Sequence, residues 1–393
     1  METENTFDFD SAPQRRGSNS YKWDSVPGGV LPMWVADMDF KTAPCIVEAL
    51  RRRVEHGVFG YTKVPEEYYE AVDRWFSSRH GWHIEPEHVM YTSGVVPAIS
   101  AVIKALAKPG EKVIVQSPVY NCFFSSVRNN GCVASDNELI YNTDGSYSID
   151  FEDLERRASD PAATVMLLCN PHNPAGRIWT RGELKRIADI CIRNNVTVVA
   201  DEIHCELTYN GKGYVPFATV SPEAASGCVF CNAPSKAFNT AGLQIANIVC
   251  ADPEKRHLID KAININEVCD VNPFGVVGLV AAYNEGGAWL DSLCAYIWEN
   301  YCVARSFFER ELPAYKVSPL EATYLMWFNI EASGMDSVRL DRLLVEEGKV
   351  LLSPGSIYGR GGERFMRLNL ACPRKTLEEG LRRVASVLKP LAE

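Results

Sequence analysis

The sequence predicts an α/β fold: a mostly parallel central sheet in a large domain, joined to a smaller C-terminal α+β domain. Two observations carry this. Short apolar runs alternate with helix-length segments through the middle of the chain, and glycine-, proline- and polar-rich motifs follow directly after those runs. Strands separated by helical stretches pair in parallel and are covered on both faces, so ligands gather beyond their C-terminal ends. At 393 residues the chain can bury a large core and divide into two domains.

The elements follow in order. The first 45 residues read as irregular, punctuated by Pro13, Gly17, Pro27, Gly28, Gly29 and Pro32. A helix is predicted from about residue 43 to 54. Strands are predicted over residues 113–116, 164–169, 197–200, 227–231 and 245–250, and helices over 97–107, 181–194 and 376–388. One long helical stretch, 274 to about 311, leads into the C-terminal domain. The expected division is a segment 1–45 packed with the small domain, a large domain 46–285 and a small domain 286–393.

Composition narrows the function. With 46% hydrophobic and 23% charged residues, the chain has the balance of a globular enzyme. A net charge of −10 argues against nucleic acid or an anionic membrane as partner. No apolar run is long enough for a membrane span, and the acidic, polar start lacks the regions of a secretory signal, so a cytoplasmic location is expected. Thirteen scattered cysteines suit reduced thiols. The one CxxC, Cys228-Val-Phe-Cys231, has no second pair, and a strand there points its thiols to opposite faces. It reads as structural, and no metal site is expected.

Several motifs carry chemistry. In Asn232-Ala-Pro-Ser-Lys-Ala-Phe-Asn-Thr-Ala-Gly242, Lys236 follows an apolar run. A lysine in a dry pocket has a lowered pKa and becomes a nucleophilic, Schiff-base amine. A solvated loop lysine is the alternative. Asn170-Pro-His-Asn-Pro-Ala-Gly176 is a fixed loop that can present the Asn173 amide to a phenolic oxygen, or only turn the chain. Asp201-Glu-Ile-His204 ends a buried strand, where a carboxylate needs a partner such as a protonated pyridine nitrogen. Glu202 should face the other way, and His204 either supports the ring or is structural. Tyr91-Thr-Ser-Gly-Val-Val-Pro97 opens a helix whose free N–H groups suit a phosphate, Gly94 allowing close approach; Thr92 and Ser93 also suit plain caps. Tyr120 can stack on an aromatic ring or sit in the core. Arg367, inside an apolar strand pattern, needs an anion, either an amino-acid carboxylate or an internal partner.

Taken in order, these motifs resemble the fold-type I pyridoxal-phosphate enzymes of the aspartate aminotransferase superfamily, over nearly the whole chain. Leu31-Pro-Met-Trp-Val-Ala-Asp-Met-Asp-Phe40, preceded by Arg15-Arg-Gly-Ser-Asn-Ser-Tyr-Lys-Trp-Asp24, looks like the MalY/PatB type of cystathionine β-lyase. Asp201-Glu-Ile-His204 and Arg367-Leu-Asn-Leu-Ala-Cys-Pro373 share that likeness. The resemblance implies pyridoxal 5'-phosphate bound by Lys236, with Asp201 on the pyridine nitrogen, Asn173 on the phenolic oxygen and Tyr120 on the ring. Gly94, Val95 and Ser235 would serve the phosphate. Tyr61 would reach the site of a neighbouring subunit, which implies a homodimer with shared active sites. Ala36 would lie beside a substrate carboxylate held by Arg367, and Tyr358 would shape the side-chain pocket.

Two positions depart from many relatives: Gln244 stands eight after the lysine where they carry arginine, and Ala233 where they carry a serine. The expected reaction is β-elimination of a thiol from a cysteine thioether, with Lys236 as the Cα base. An aminotransferase sharing the same cofactor contacts is the nearest alternative, and a regulatory partner-binding protein is the alternative of another class.

Overall fold

A computed structural model describes residues 7–267 and 270–392. The acidic start at residues 1–6 and Cys269 lie outside the described residues. Strand β1 (Leu31–Pro32) belongs to the N-terminal segment. Strands β2 (Val89–Thr92), β3 (Lys112–Val115) and β4 (Val133–Asp136) precede a short hairpin, β5 (Ile140–Tyr141) and β6 (Tyr147–Ser148). Then come β7 (Ala163–Cys169), β8 (Thr197–Asp201), β9 (Val229–Asn232) and β10 (Ala246–Val249). The C-terminal part holds β11 (Leu325–Asn329), β12 (Val350–Leu351), β13 (Ser353–Pro354) and β14 (Phe365–Asn369).

The main sheet has the order β2-β10-β9-β8-β7-β3-β4. Strand β10 runs antiparallel to both neighbours, and the remaining pairings are parallel. Its central strands are apolar throughout because each face carries its own layer. Along β7, Met166 and Leu168 join one buried cluster, while Val165, Leu167 and Cys169 join the other. Cys228 and Cys231 divide between the same two layers, and the cysteines of the described residues are free thiols. A three-stranded antiparallel sheet, β11-β14-β13, forms the C-terminal layer. No helix among the described residues is long and apolar enough to cross a membrane.

Two expectations need correction. The N-terminal segment is not wholly irregular: Ser20 caps a helix over Tyr21–Asp24, and β1 pairs in parallel with β12 through Leu31↔Val350 and Pro32↔Leu351. A two-residue strand has no periodicity to read. The long helical stretch is two helices, Pro273–Glu285 and Gly287–Glu311, broken at Gly286. A Cβ on Gly286 would lie 2.5 Å from both Ala282 O and the Phe238 ring, so the close passage requires glycine.

Candidate active site

Parallel strands deliver their C-terminal ends to one edge of the sheet, and four of the predicted motifs arrive there. Strand β8 ends on Asp201, β9 leads to Ser235 and Lys236, β7 leads to Asn173, and β3 leads to Tyr120. Strand β2 leads through Gly94 into the helix Val95–Leu106. Together with Ala36 and His204, these residues line one cavity of about 180 Å³. Ile203, Cys169, Ala241 and Ile245 supply apolar wall.

Burial sets the charges here. Asp201 is 3% exposed and accepts a hydrogen bond from the Ile203 N–H at 3.2 Å. Burial pushes its carboxyl up to about 7, against the smaller opposing effects of that bond and of Lys236. A carboxyl in this state lacks a close cation, which a protonated pyridine nitrogen would supply. Lys236 is pushed the other way, down to about 8, by burial first and the Arg367 guanidinium second. Its Nζ donates to the Ala36 carbonyl at 2.7 Å. Burial also holds His204 well below its ordinary pKa, so the ring is neutral, and its Nδ1 has no hydrogen-bond partner. Tyr120 is kept a phenol by burial, then by the Cys122 thiol and Asp201.

Arg367 sits on β14, 4% exposed, between Trp327 of β11 and Ser353 of β13. Among the described residues its guanidinium donates only to neutral oxygens: Asn173 Oδ1 at 3.1 Å, Trp34 O at 2.9 Å and Ser353 Oγ at 3.4 Å. Its Nε has no partner. A buried cation held by neutral groups suits an incoming carboxylate. The same contact orients Asn173. A guanidinium only donates, so the amide must turn Oδ1 toward it, which leaves Nδ2 to donate into the cavity. Tyr358 is 1% exposed and does not line the cavity; its ring lies 4.9 Å under the Arg367 guanidinium.

The helix Val95–Leu106 begins without a side-chain cap, so its first-turn N–H groups face the cavity unclaimed by the helix. Glu202, as expected, faces away: it accepts from Asn170 Nδ2 at 3.1 Å and from Phe217 N at 2.9 Å. Gln244 caps the short turn Ala241–Leu243 in a left-handed conformation (φ 53°) and lines a separate cavity with Tyr91 and Ser93. Ala233 is buried in the apolar layer. Tyr61 is 96% exposed and takes no part in this chain's own cavity.

Sequence reasoning missed two residues at the site. The Tyr324 hydroxyl donates to Ala36 O at 2.9 Å, sharing that oxygen with Lys236. Asn369 donates to Val35 O and Asp37 O, each at 2.7 Å. Asn369 lies within the Arg367–Pro373 motif, which was the available signal. Tyr324 immediately precedes β11 and carries no signal of its own.

A donor set of buried carboxylate, buried amine, free helix N-terminus and unpaired guanidinium suits a flat, phosphorylated, cationic ring with an amino acid beside it. Residues 30–384 match the family described as aminotransferase class I and II. The chain belongs to this family. It is 44% identical to cystathionine beta-lyase PatB of Bacillus subtilis, over 97% of this chain and 99% of that one. It is 32% identical to protein MalY of Escherichia coli, over 95% and 97%. Among solved family structures, cystalysin from Treponema denticola, which contains pyridoxal 5'-phosphate, superposes with a TM-score of 0.95 at 34% identity, over 98% of this chain and 99% of that one. These likenesses agree with the predicted α/β fold and with the MalY/PatB-type resemblance read from the motifs.

Proposed function

We propose that this chain is a pyridoxal-phosphate-dependent carbon–sulfur β-lyase. It cleaves L-cystathionine or a related cysteine thioether to a thiol, pyruvate and ammonia. The observation that carries this reading is the 44% identity, across 97% of the chain, to a cystathionine beta-lyase. The physical support is the cavity that gathers Lys236, Asp201, Asn173 and Tyr120.

Lys236 would hold the cofactor covalently. Asp201 would keep the pyridine nitrogen protonated, Asn173 Nδ2 would donate to the phenolic oxygen, and Tyr120 would stack on the ring. Gly94, Val95 and Ser235 would serve the phosphate, and neutral His204 would buttress the ring beside Asp201. When bound, pyridoxal phosphate supplies an electron sink for the pair left by the Cα–H bond. Arg367 pairs with the substrate carboxylate beside Ala36 and so sets the Cα–H bond toward Lys236. Tyr358 supports the Arg367 guanidinium from below. With a pKa near 8, Lys236 is poised to take the Cα proton at neutral pH. The thiolate leaves from Cβ, and the three-carbon remainder hydrolyses to pyruvate and ammonia.

On this reading residues 46–285 form the cofactor domain and 286–393 the domain that contributes Arg367, with segment 1–45 strapped to the latter through β1 and β12. The enzyme is a homodimer in which Tyr61 enters the partner's site. Its 96% exposure supports this, as does the nearby exposed apolar run of Val54, Val58 and Phe59. It works in the cytoplasm, which the free thiols support. Assaying pyruvate from a panel of cysteine thioethers, with no keto acid added, tests the function. Turnover that appears only with added keto acid would point to amino transfer.

A further inference from the structure

The run Trp34–Met38 is bound in an uncommon way: each of its five successive carbonyl oxygens accepts from a side chain. Arg367 and Ser353 hold Trp34 O, and Asn369 holds Val35 O. Lys236 and Tyr324 share Ala36 O. Asn369 and Lys22 reach Asp37 O, and Arg15 and Asn239 hold Met38 O. The Asp37 N–H also donates to Val35 O at 3.0 Å, closing a three-residue turn around Ala36. Asn369 bridges the two outer carbonyls of this turn. Its own amide cannot flip, because Oδ1 accepts from Ala371 N at 2.8 Å. The central carbonyl is thereby left to project the other way, onto Lys236 Nζ at 2.7 Å, with the Tyr324 hydroxyl fixing it at 2.9 Å.

We propose that Asn369 and Tyr324 are positioning residues for Lys236, holding the Ala36 carbonyl as a fixed acceptor for its ammonium. Burial and Arg367 disfavour that charge, and Asp37, Asp201 and Cys122 offset them only in part. The groups facing Lys236 are Arg367 on β14, Asp37 on the strap, Asp201 and His204 at the end of β8, and Cys122 after β3. Only a fixed neutral acceptor offers the ammonium a hydrogen bond without pairing it permanently with a carboxylate. If the lyase reading holds, the carbonyl holds Lys236 while it carries the substrate's Cα proton.

The test titrates Lys236 in the full-length protein after removal of the cofactor, by pH-dependent acetylation read on the Lys236 peptide by mass spectrometry. Tyr324→Phe removes one hydroxyl and keeps the ring; Asn369→Ala removes the clamp. Hydrogen bonding favours the charged form, so loosening its acceptor should lower the midpoint by about half a unit or more in either variant. In the cofactor-loaded enzyme, kcat should fall about tenfold with KM within about twofold, since the lost contact serves the proton-carrying lysine rather than substrate binding. An unchanged or raised midpoint in folded Tyr324→Phe overturns the proposal, whether or not Asn369→Ala folds. The titration needs no turnover. A protein that releases no pyruvate would therefore sink the lyase reading and leave this result legible.

Discussion

Lys236 and Asp201 face one cavity with opposite displacements, an amine made less basic and a carboxyl made less acidic by the same burial. Lys236→Ala should fold normally by circular dichroism and lose more than about a thousandfold in turnover, because both the covalent anchor and the base are gone. Asp201 has a consequence for stability. Its folded pKa of about 7 stands above the ordinary 3.8, so the folded state keeps a proton that the unfolded chain releases. The cofactor-free protein therefore loses stability as pH rises from about 4 toward 7. Asp201→Asn removes this contribution. Urea unfolding without cofactor should show the variant gaining on the parent across that window, by at most about 1.4 kcal/mol per pH unit, and level above it. The sequence made these residues legible because a charged group at the end of an apolar strand is an anomaly that invites a partner. Tyr324 was not legible, since a tyrosine in an apolar run looks like core until its hydroxyl is seen to meet Ala36 O.

At the scale of elements, the strap explains why the Leu31–Phe40 signature contains two aspartates. Asp39 is 2% exposed and accepts from Lys22 Nζ at 2.9 Å, Arg15 Nη1 at 3.0 Å and Trp23 Nε1 at 2.7 Å. Lys22 is itself 1% exposed. Asp39→Ala leaves the buried Lys22 ammonium with only the more distant Asp37, its carboxylate at 3.9 Å and its carbonyl at 3.4 Å, which should destabilise the protein by about 3 kcal/mol in denaturant unfolding. The central strands were readable in the sequence because burial on both faces makes them uniformly apolar. The strap was not, because it is held by side chains from β13, from β14 and from Tyr324 just before β11 acting on its carbonyls, and such bonds leave no periodicity. The break at Gly286 escaped for a related reason: glycine is tolerated within helices, and only the packing of Phe238 makes it obligatory there.

For the whole molecule, the proposed homodimer places Tyr61, 96% exposed and outside this chain's own cavity, in the partner's site. Mixing and reassociating inactive Tyr61→Ala and Lys236→Ala chains should restore about a quarter of parental activity, since half of the dimers would each contain one intact site. No recovery on mixing would place Tyr61 outside the partner's site. The order of motifs made the fold and cofactor chemistry legible from the sequence, while the choice of elimination over transfer came from the Leu31–Phe40 resemblance and from the 44% identity to a cystathionine beta-lyase. That choice is tested most directly by following pyruvate from L-cystathionine over time with cofactor-loaded enzyme and no keto acid. Elimination predicts steady release far beyond one equivalent per chain. Cystathionine consumed only when a keto acid is added, with its C–S bond kept and no more than one equivalent of pyruvate released, would contradict it.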